Sequence, residues 1–148
     1  QPLRQMFPDA DVPIVPLSMQ THEGPAHAYR VGQALSGLAE KNIWVIASGN
    51  ITHSLRDWQV AASTNGQTPA YVHRFADWVA EKVSANDVAA LLNYRQHSAD
   101  GRQAHPSEDH LLPLYVALGA AGAGATPQAF YRGVSDYVIA MDGYAFVN

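Results

Sequence analysis

The sequence predicts an α/β fold: a central, largely buried mixed sheet flanked by helices. Three observations carry this. The apolar run Asn42-Ile43-Trp44-Val45-Ile46-Ala47 reads as a strand covered on both faces, the pattern of sheets built from βαβ units. Ahead of it, Ala28, Val31, Leu35 and Leu38 recur at helical spacing behind Pro25, which suits a first helical position. Beyond it, Tyr71, Phe75, Trp78 and Val79 form a second, aromatic-rich helical face.

The elements follow in order. Val12 to Leu17 is apolar but interrupted by Pro13 and Pro16, so an edge-like or irregular strand is expected. The helix from Pro25 should lay one face on the sheet, and the strand from Ile43 to Ser48 should be central. Ser63 to Pro69, with Asn65 and Gly66 inside it, is a loop by turn chemistry. Asn86 is expected to cap a short helix carrying Val88, Leu91 and Leu92. Another helix should open at Ser107, with Glu108 and Asp109 in its first turn, a bend near Pro113 and its end at Gly119. Leu111, Leu112, Leu114, Tyr115, Val116 and Leu118 surround that axis, so the helix is expected to be buried. Asp142-Gly143 fits either a hairpin turn or a bulge. Trp44, Trp58, Tyr115 and Tyr144 are expected in the core.

Composition narrows the function. The 148 residues form most simply one domain, 1–148, with 47% hydrophobic and 15% charged residues and a formal charge of −4. A chain of this size buries roughly 68–70% of its unfolded surface. With nine Lys plus Arg and no basic cluster, nucleic acid is not an expected partner. No cysteine occurs, which excludes disulfides, thiolate nucleophiles and cysteine-ligated metal sites. No apolar run reaches the roughly 18 residues of a membrane span, and nothing resembles a signal peptide, so a cytoplasmic protein without membrane contact is expected.

Two histidines stand where apolar elements meet polar turns: His53 in Ser48-Gly49-Asn50-Ile51-Thr52-His53 and His110 in His105-Pro106-Ser107-Glu108-Asp109-His110-Leu111-Leu112-Pro113. Ligands of open α/β sheets bind at the C-terminal ends of strands, where His53 is expected. At a helix N-terminus His110 would be held neutral, the form a metal requires. Taken alone, each also fits a purely structural role: His53 bonded to backbone in a turn, His110 sharing a hydrogen bond with Ser107 or Asp109. His105 precedes a proline and is expected to be extended and partly exposed; His22, His73 and His97 are expected in solvent.

The wording around these histidines resembles the class III extradiol ring-cleavage dioxygenases, in particular their DOPA 4,5-dioxygenase-like branch. Five stretches carry the likeness in order: Pro2-Leu3-Arg4-Gln5-Met6-Phe7-Pro8 with Ala10 to Val15, Pro25-Ala26-His27, Ser48-Gly49-Asn50 through His53-Ser54-Leu55-Arg56, His105-Pro106 through Gly119, and Ala140 to Phe146. Some relatives place a carboxylate where His110 stands, and the DOPA branch carries histidine there. The resemblance implies the C-terminal part of a longer catalytic domain, because Gln1-Pro2-Leu3-Arg4 is not a start sequence and the family pattern draws further histidines from an upstream segment.

It also implies the chemistry. Ring opening beside the hydroxyls of a catechol uses a metal that holds the diol and dioxygen at adjacent positions, commonly on two histidines and a carboxylate. His53 and His110 are the implied metal residues, with His53 alternatively the acid/base that moves a substrate proton. Asn50 and His27 are the implied substrate contacts. Fe(II) is the expected catalytic metal and Zn(II) a second occupant of the same imidazoles; the partners are a catechol-type small molecule, dioxygen, the upstream segment and a second copy of the chain. The alternatives are a zinc hydrolase on the same scaffold, which lacks an H-E-x-x-H motif here, and a non-catalytic binding or structural fragment.

Overall fold

The computed structural model describes residues 2–64 and 66–147; Gln1, in the atypical opening, and Asn65, in the expected loop, lie outside the described residues. Helices α1 (Pro2–Met6), α2 (Gly24–Ala34), α3 (Leu55–Thr64), α4 (Ala70–Ser84), α5 (Val88–Leu92), α6 (Tyr94–His97), α7 (Gly101–Ala104) and α8 (Leu112–Ala121) are followed by strands β1 (Thr126–Tyr131), β2 (Val134–Ser135), β3 (Ile139–Ala140) and β4 (Gly143–Val147). A 3₁₀ segment, Ser36–Lys41, follows α2. No described helix is long and apolar enough to cross a membrane.

The aromatic-rich face anticipated in the sequence is α4. Tyr71, Val72, Phe75, Ala76, Val79 and Val83 are buried along it, and they meet Leu91, Tyr94, Leu111, Leu112, Tyr115 and Val138 in one core. Each large side chain in that core contributes roughly 1.5–3 kcal/mol by leaving water, so this cluster dominates the stability of the fold.

Helix α2 starts with Pro25 in its first turn, as expected, but packs on α8 rather than on a sheet. Gly32 and Gly119 make this possible: a Cβ on Gly32 would overlap the Val116 carbonyl, and one on Gly119 would overlap the Tyr29 carbonyl. Gly119 therefore serves close helix packing and does not end α8. The helix ends at Gly122, whose positive φ of 76° is one that favours glycine.

Two other boundaries differ from expectation. The cap of α5 is Asp87, whose carboxylate accepts from the Ala90 amide at 3.1 Å, while Asn86 adopts φ 51° and donates its side-chain amide to the Ala123 carbonyl at 3.0 Å. Helix α3 was not foreshadowed by periodicity because it buries only Ala61 and leaves Leu55, Trp58 and Val60 exposed. Its start does carry a cap signal, since the Ser54 hydroxyl accepts from the Asp57 amide at 3.4 Å.

The mixed α/β class holds, but the described strands pair as two small antiparallel ladders, β1 with β4 and β2 with β3. Asp142-Gly143 is not a hairpin turn, because β3 and β4 belong to different ladders; a bulge lies instead between Ala129 and Tyr131 in β1. Residues 43–48 form no ladder with any described residue, and neither do 12–17. Ile43 and Ile46 are about half exposed, and Trp44 is 73% exposed rather than in the core. An apolar run records that a segment is covered without naming the cover, and the described residues supply none for Trp44.

Candidate active site

Residues 50–53 are laced between two other segments. The Ile51 amide donates to the Ala140 carbonyl at 2.9 Å, and the buried Thr52 hydroxyl donates to the Val138 carbonyl and accepts from the Ala140 amide, both at 2.7 Å. On the other side, the Asn50 amide donates to the His110 carbonyl and the His53 amide to the Ala104 carbonyl, each at 2.8 Å. The turn carrying His53 is thereby fixed by backbone bonds to the turn carrying His110.

His110 does not lie in a helix. Helix α8 begins at Leu112 with Leu111 as its cap position, and Pro113 sits in the first turn, where its missing N–H costs no hydrogen bond. His110 instead occupies the preceding turn, in which the Leu111 and Leu112 amides both donate to the Glu108 carbonyl, at 2.9 and 3.0 Å. Ser107 is not the cap; its hydroxyl donates to Asp109 Oδ1 at 2.6 Å. Arg95 braces the same turn, with Nε 2.9 Å from Glu108 Oε1 and Nη2 2.7 Å from the His105 carbonyl.

The two turns bring the His53 and His110 rings into a parallel stack, with centroids 3.6 Å apart and planes 9° apart. Asp109 Oδ2 lies 2.8 Å from His110 Nδ1 but out of hydrogen-bond alignment, which leaves that buried nitrogen without an aligned partner. Burial, and then the neighbouring His110, hold His53 below the ordinary imidazole pKa, with Asp109 opposing them. His53 is therefore neutral near pH 7 and free to accept a proton or offer a lone pair. The hydrogen bond from Ser107 is the main cause that keeps Asp109 ionised below the usual carboxylate range.

A cavity of about 120 Å³ opens on the His110 side of the stack, lined in part by Gly49, Asn50, His110, Phe130, Asp142 and Tyr144, and His53 does not line it. Asn50 thus reaches a cavity that His110 also borders. His27, in the first turn of α2, pairs with Gln20 Oε1 at 3.2 Å and makes no hydrogen bond or ring contact with the histidine pair. His22, His73 and His97 are exposed, as expected.

His105 overturns its expectation. It is fully buried, packed edge-on against Phe75 and Tyr94, with Nε2 2.7 Å from the Ile51 carbonyl oxygen. A histidine before proline reads locally as exposed; only the tertiary contact with Ile51 reveals its place. Arg95 and Thr52, which also hold the two turns, carry no motif that distinguishes them from ordinary polar residues.

As a metal centre the donor set fits in kind and falls short in number. His110, whose Nδ1 faces Asp109 and leaves Nε2 for an ion, and the neutral His53 are suitable imidazole donors, yet among the described residues no group of three histidine, cysteine or carboxylate side chains is arranged to hold an ion.

Comparison with known proteins identifies the family. Residues 1–142 match the family model described as the catalytic LigB subunit of aromatic ring-opening dioxygenase. A 4,5-DOPA dioxygenase extradiol from Mirabilis jalapa is 34% identical over 131 residues, covering 88% of this chain and 48% of that protein. One from Beta vulgaris is 29% identical over 147 residues, covering 99% and 54%. The crystal structure of an uncharacterized protein from Escherichia coli K12 superposes with a TM-score of 0.83 at 27% identity, over 99% of this chain and 59% of that one. The chain therefore spans about half the length of the curated relatives it matches. The resemblance read from the histidine motifs is borne out: this chain belongs to the aromatic ring-opening dioxygenase family of the LigB catalytic subunit, within the class III extradiol type.

Proposed function

We propose that this chain works as the C-terminal part of a longer catalytic domain that adds both atoms of dioxygen to a catechol-type ring at a non-haem metal. The single observation that carries this reading is the stacking of His53 on His110 beside a small cavity, both rings supported by bonded turns. A catechol is the substrate class because two adjacent hydroxyls let one substrate be both anchored and deprotonated.

In the overall change a ring carbon–carbon bond beside a hydroxyl breaks, the oxygen–oxygen bond breaks, and both oxygen atoms enter the product. The ring is oxidised and dioxygen reduced, so no further reductant is required. When bound, Fe(II) would supply adjacent positions for the diol and dioxygen, and Zn(II) would occupy the same nitrogens without that redox capacity. His53, neutral near pH 7, takes a proton from a substrate hydroxyl on a ring nitrogen and returns it as the ring opens. His110 offers a metal ligand, Asn50 orients the substrate from the cavity wall, and His27 contributes an outer contact.

Two imidazoles leave the ligand set incomplete, so the remaining donors come from the upstream segment of the same enzyme. The exposed apolar side chains of Ile14, Val15, Leu17, Ile43, Trp44 and Ile46 support that reading, because they offer a surface for such a segment. A second copy of the chain is the other occupant of that surface to be tested.

The test is oxygen uptake by the complete, Fe(II)-loaded protein over a panel of catechols, followed with the absorbance of the yellow ring-opened product. Stoichiometric oxygen consumption with yellow product supports the proposal. A loaded protein that binds catechols but consumes no oxygen overturns it.

A further inference from the structure

Among the described residues, His105 is the one fully buried histidine. Its Nε2 lies 2.7 Å from the Ile51 carbonyl oxygen, and a carbonyl only accepts, so Nε2 carries the ring proton. Nδ1 is then an unprotonated acceptor, buried and without a hydrogen-bond partner. An orphaned acceptor in a core is costly, and an aromatic side chain would fill the same space without that cost. The bond to Ile51 is the compensating feature.

Ile51 lies two residues before His53, and Ala104, which accepts from the His53 amide at 2.8 Å, directly precedes His105. The bond between Asn50 and His110 closes the same frame at its far end. His105 is also anchored at its own carbonyl by Arg95 Nη2, 2.7 Å away, and its ring is wedged between Phe75 and Tyr94 with centroids 6.0 and 6.3 Å distant.

We propose that His105 is a positioning residue: its Nε2–H clamps the Ile51 carbonyl and so sets the turn of His53 in register with the turn of His110. The proposal rests on the reading above only for the roles of the two stacked rings. The clamp itself is tested without turnover.

The experiment uses nitrogen-detected histidine spectra and amide exchange of the wild-type chain, His105→Phe and His105→Gln. Phenylalanine keeps the packing and removes the donor; glutamine places an amide N–H near the position of Nε2. In the wild type, His105 is expected as the Nε2–H tautomer. In His105→Phe, exchange at the His53 and Asn50 amides should rise at least tenfold while the Val79 and Leu91 amides stay protected, and the stacked-ring resonances should move. His105→Gln should restore both. An Nδ1–H tautomer in the wild type overturns the clamp, and that measurement stands even if a variant fails to fold. Unchanged exchange at His53 in His105→Phe, or a rise spread equally over the core, overturns it as well. Catalytic failure of the complete enzyme with the clamp intact would instead count against the proposed reaction.

Discussion

Gly49 lies so close to the backbone of His110 that any Cβ at this position would overlap the His110 carbonyl oxygen. The Asn50 amide donates to that same carbonyl at 2.8 Å, so the absence of a side chain at 49 is what lets the two turns bond. The glycine is required here by space and not by an unusual φ, since its backbone lies outside the left-handed region.

Gly49→Ala should therefore separate the turns. The expected cost is about 1–3 kcal/mol, the range for forcing extra atoms into a packed site. Loss of protection at the Asn50 amide would show where the strain falls. Gly37→Ala is the control, because a Cβ there meets open space. Chemical denaturation of the two variants checks the pair: equal stability would show that the contact with His110 relaxes without cost.

Thr52 gives a second prediction. Its hydroxyl satisfies both the Val138 carbonyl and the Ala140 amide from a position with 0% exposure. Thr52→Val keeps the shape and strands both backbone groups, which should cost about 1–3 kcal/mol, whereas Thr52→Ser should cost less than half of that. Thermal unfolding of the two variants decides it. A Thr52→Val protein as stable as the wild type, or a Thr52→Ser loss exceeding that of Thr52→Val, would show that methyl packing and not the hydrogen bonds holds this position.

Why the site was readable when much of the fold was not follows from where each signal resides. His53 and His110 stand in short stretches whose residue types are tied to chemistry, and α4 shows its buried face through the spacing of Tyr71, Phe75 and Val79. The packing of α2 on α8 depends on Gly32 and Gly119, which give no hydropathy signal, so a helix stands where the sequence predicts a sheet. Trp44 announced burial, but what covers it is a tertiary fact that the described residues do not contain. His105 is the sharpest case: its local sequence indicates solvent, and a contact with Ile51, distant in sequence, puts it in the core.

That burial has a pH signature. Desolvation pushes the His105 pKa from its ordinary 6.5 down to about 4, opposed by the bond to Ile51. The folded pKa lies below the unfolded one, so between these values the unfolded chain binds more protons. Stability from this group is complete above about pH 6.5 and is lost as pH falls toward 4. Between pH 7 and 5 the loss should be about 2 kcal/mol, beyond that from other groups. Urea unfolding at both pH values, for the wild type and His105→Phe, isolates the contribution by difference. Identical pH dependence in the two proteins would mean that His105 is not held neutral by the fold.

The stack itself predicts a division of labour between its two rings. Stacked imidazoles 3.6 Å apart hold their in-plane lone pairs in two nearly parallel planes that do not meet at one point, whereas two ligands of one ion must converge on it. Asp109 sits 2.8 Å from His110 Nδ1, the place where a metal-bound histidine commonly meets the carboxylate that orients it, which leaves Nε2 of His110 for an ion. His53, neutral and without such a carboxylate, is then the ring that moves the proton. In the complete enzyme, His110→Ala should release most of the metal, and Asp109→Asn should weaken metal affinity about 10- to 100-fold. His53→Gln should keep the metal while lowering kcat by about 10²- to 10⁴-fold, the usual worth of a positioned acid/base. Metal analysis beside steady-state oxygen uptake separates the roles. Equal metal loss in His53→Gln and His110→Ala would show that the stack opens on loading and that both rings become ligands.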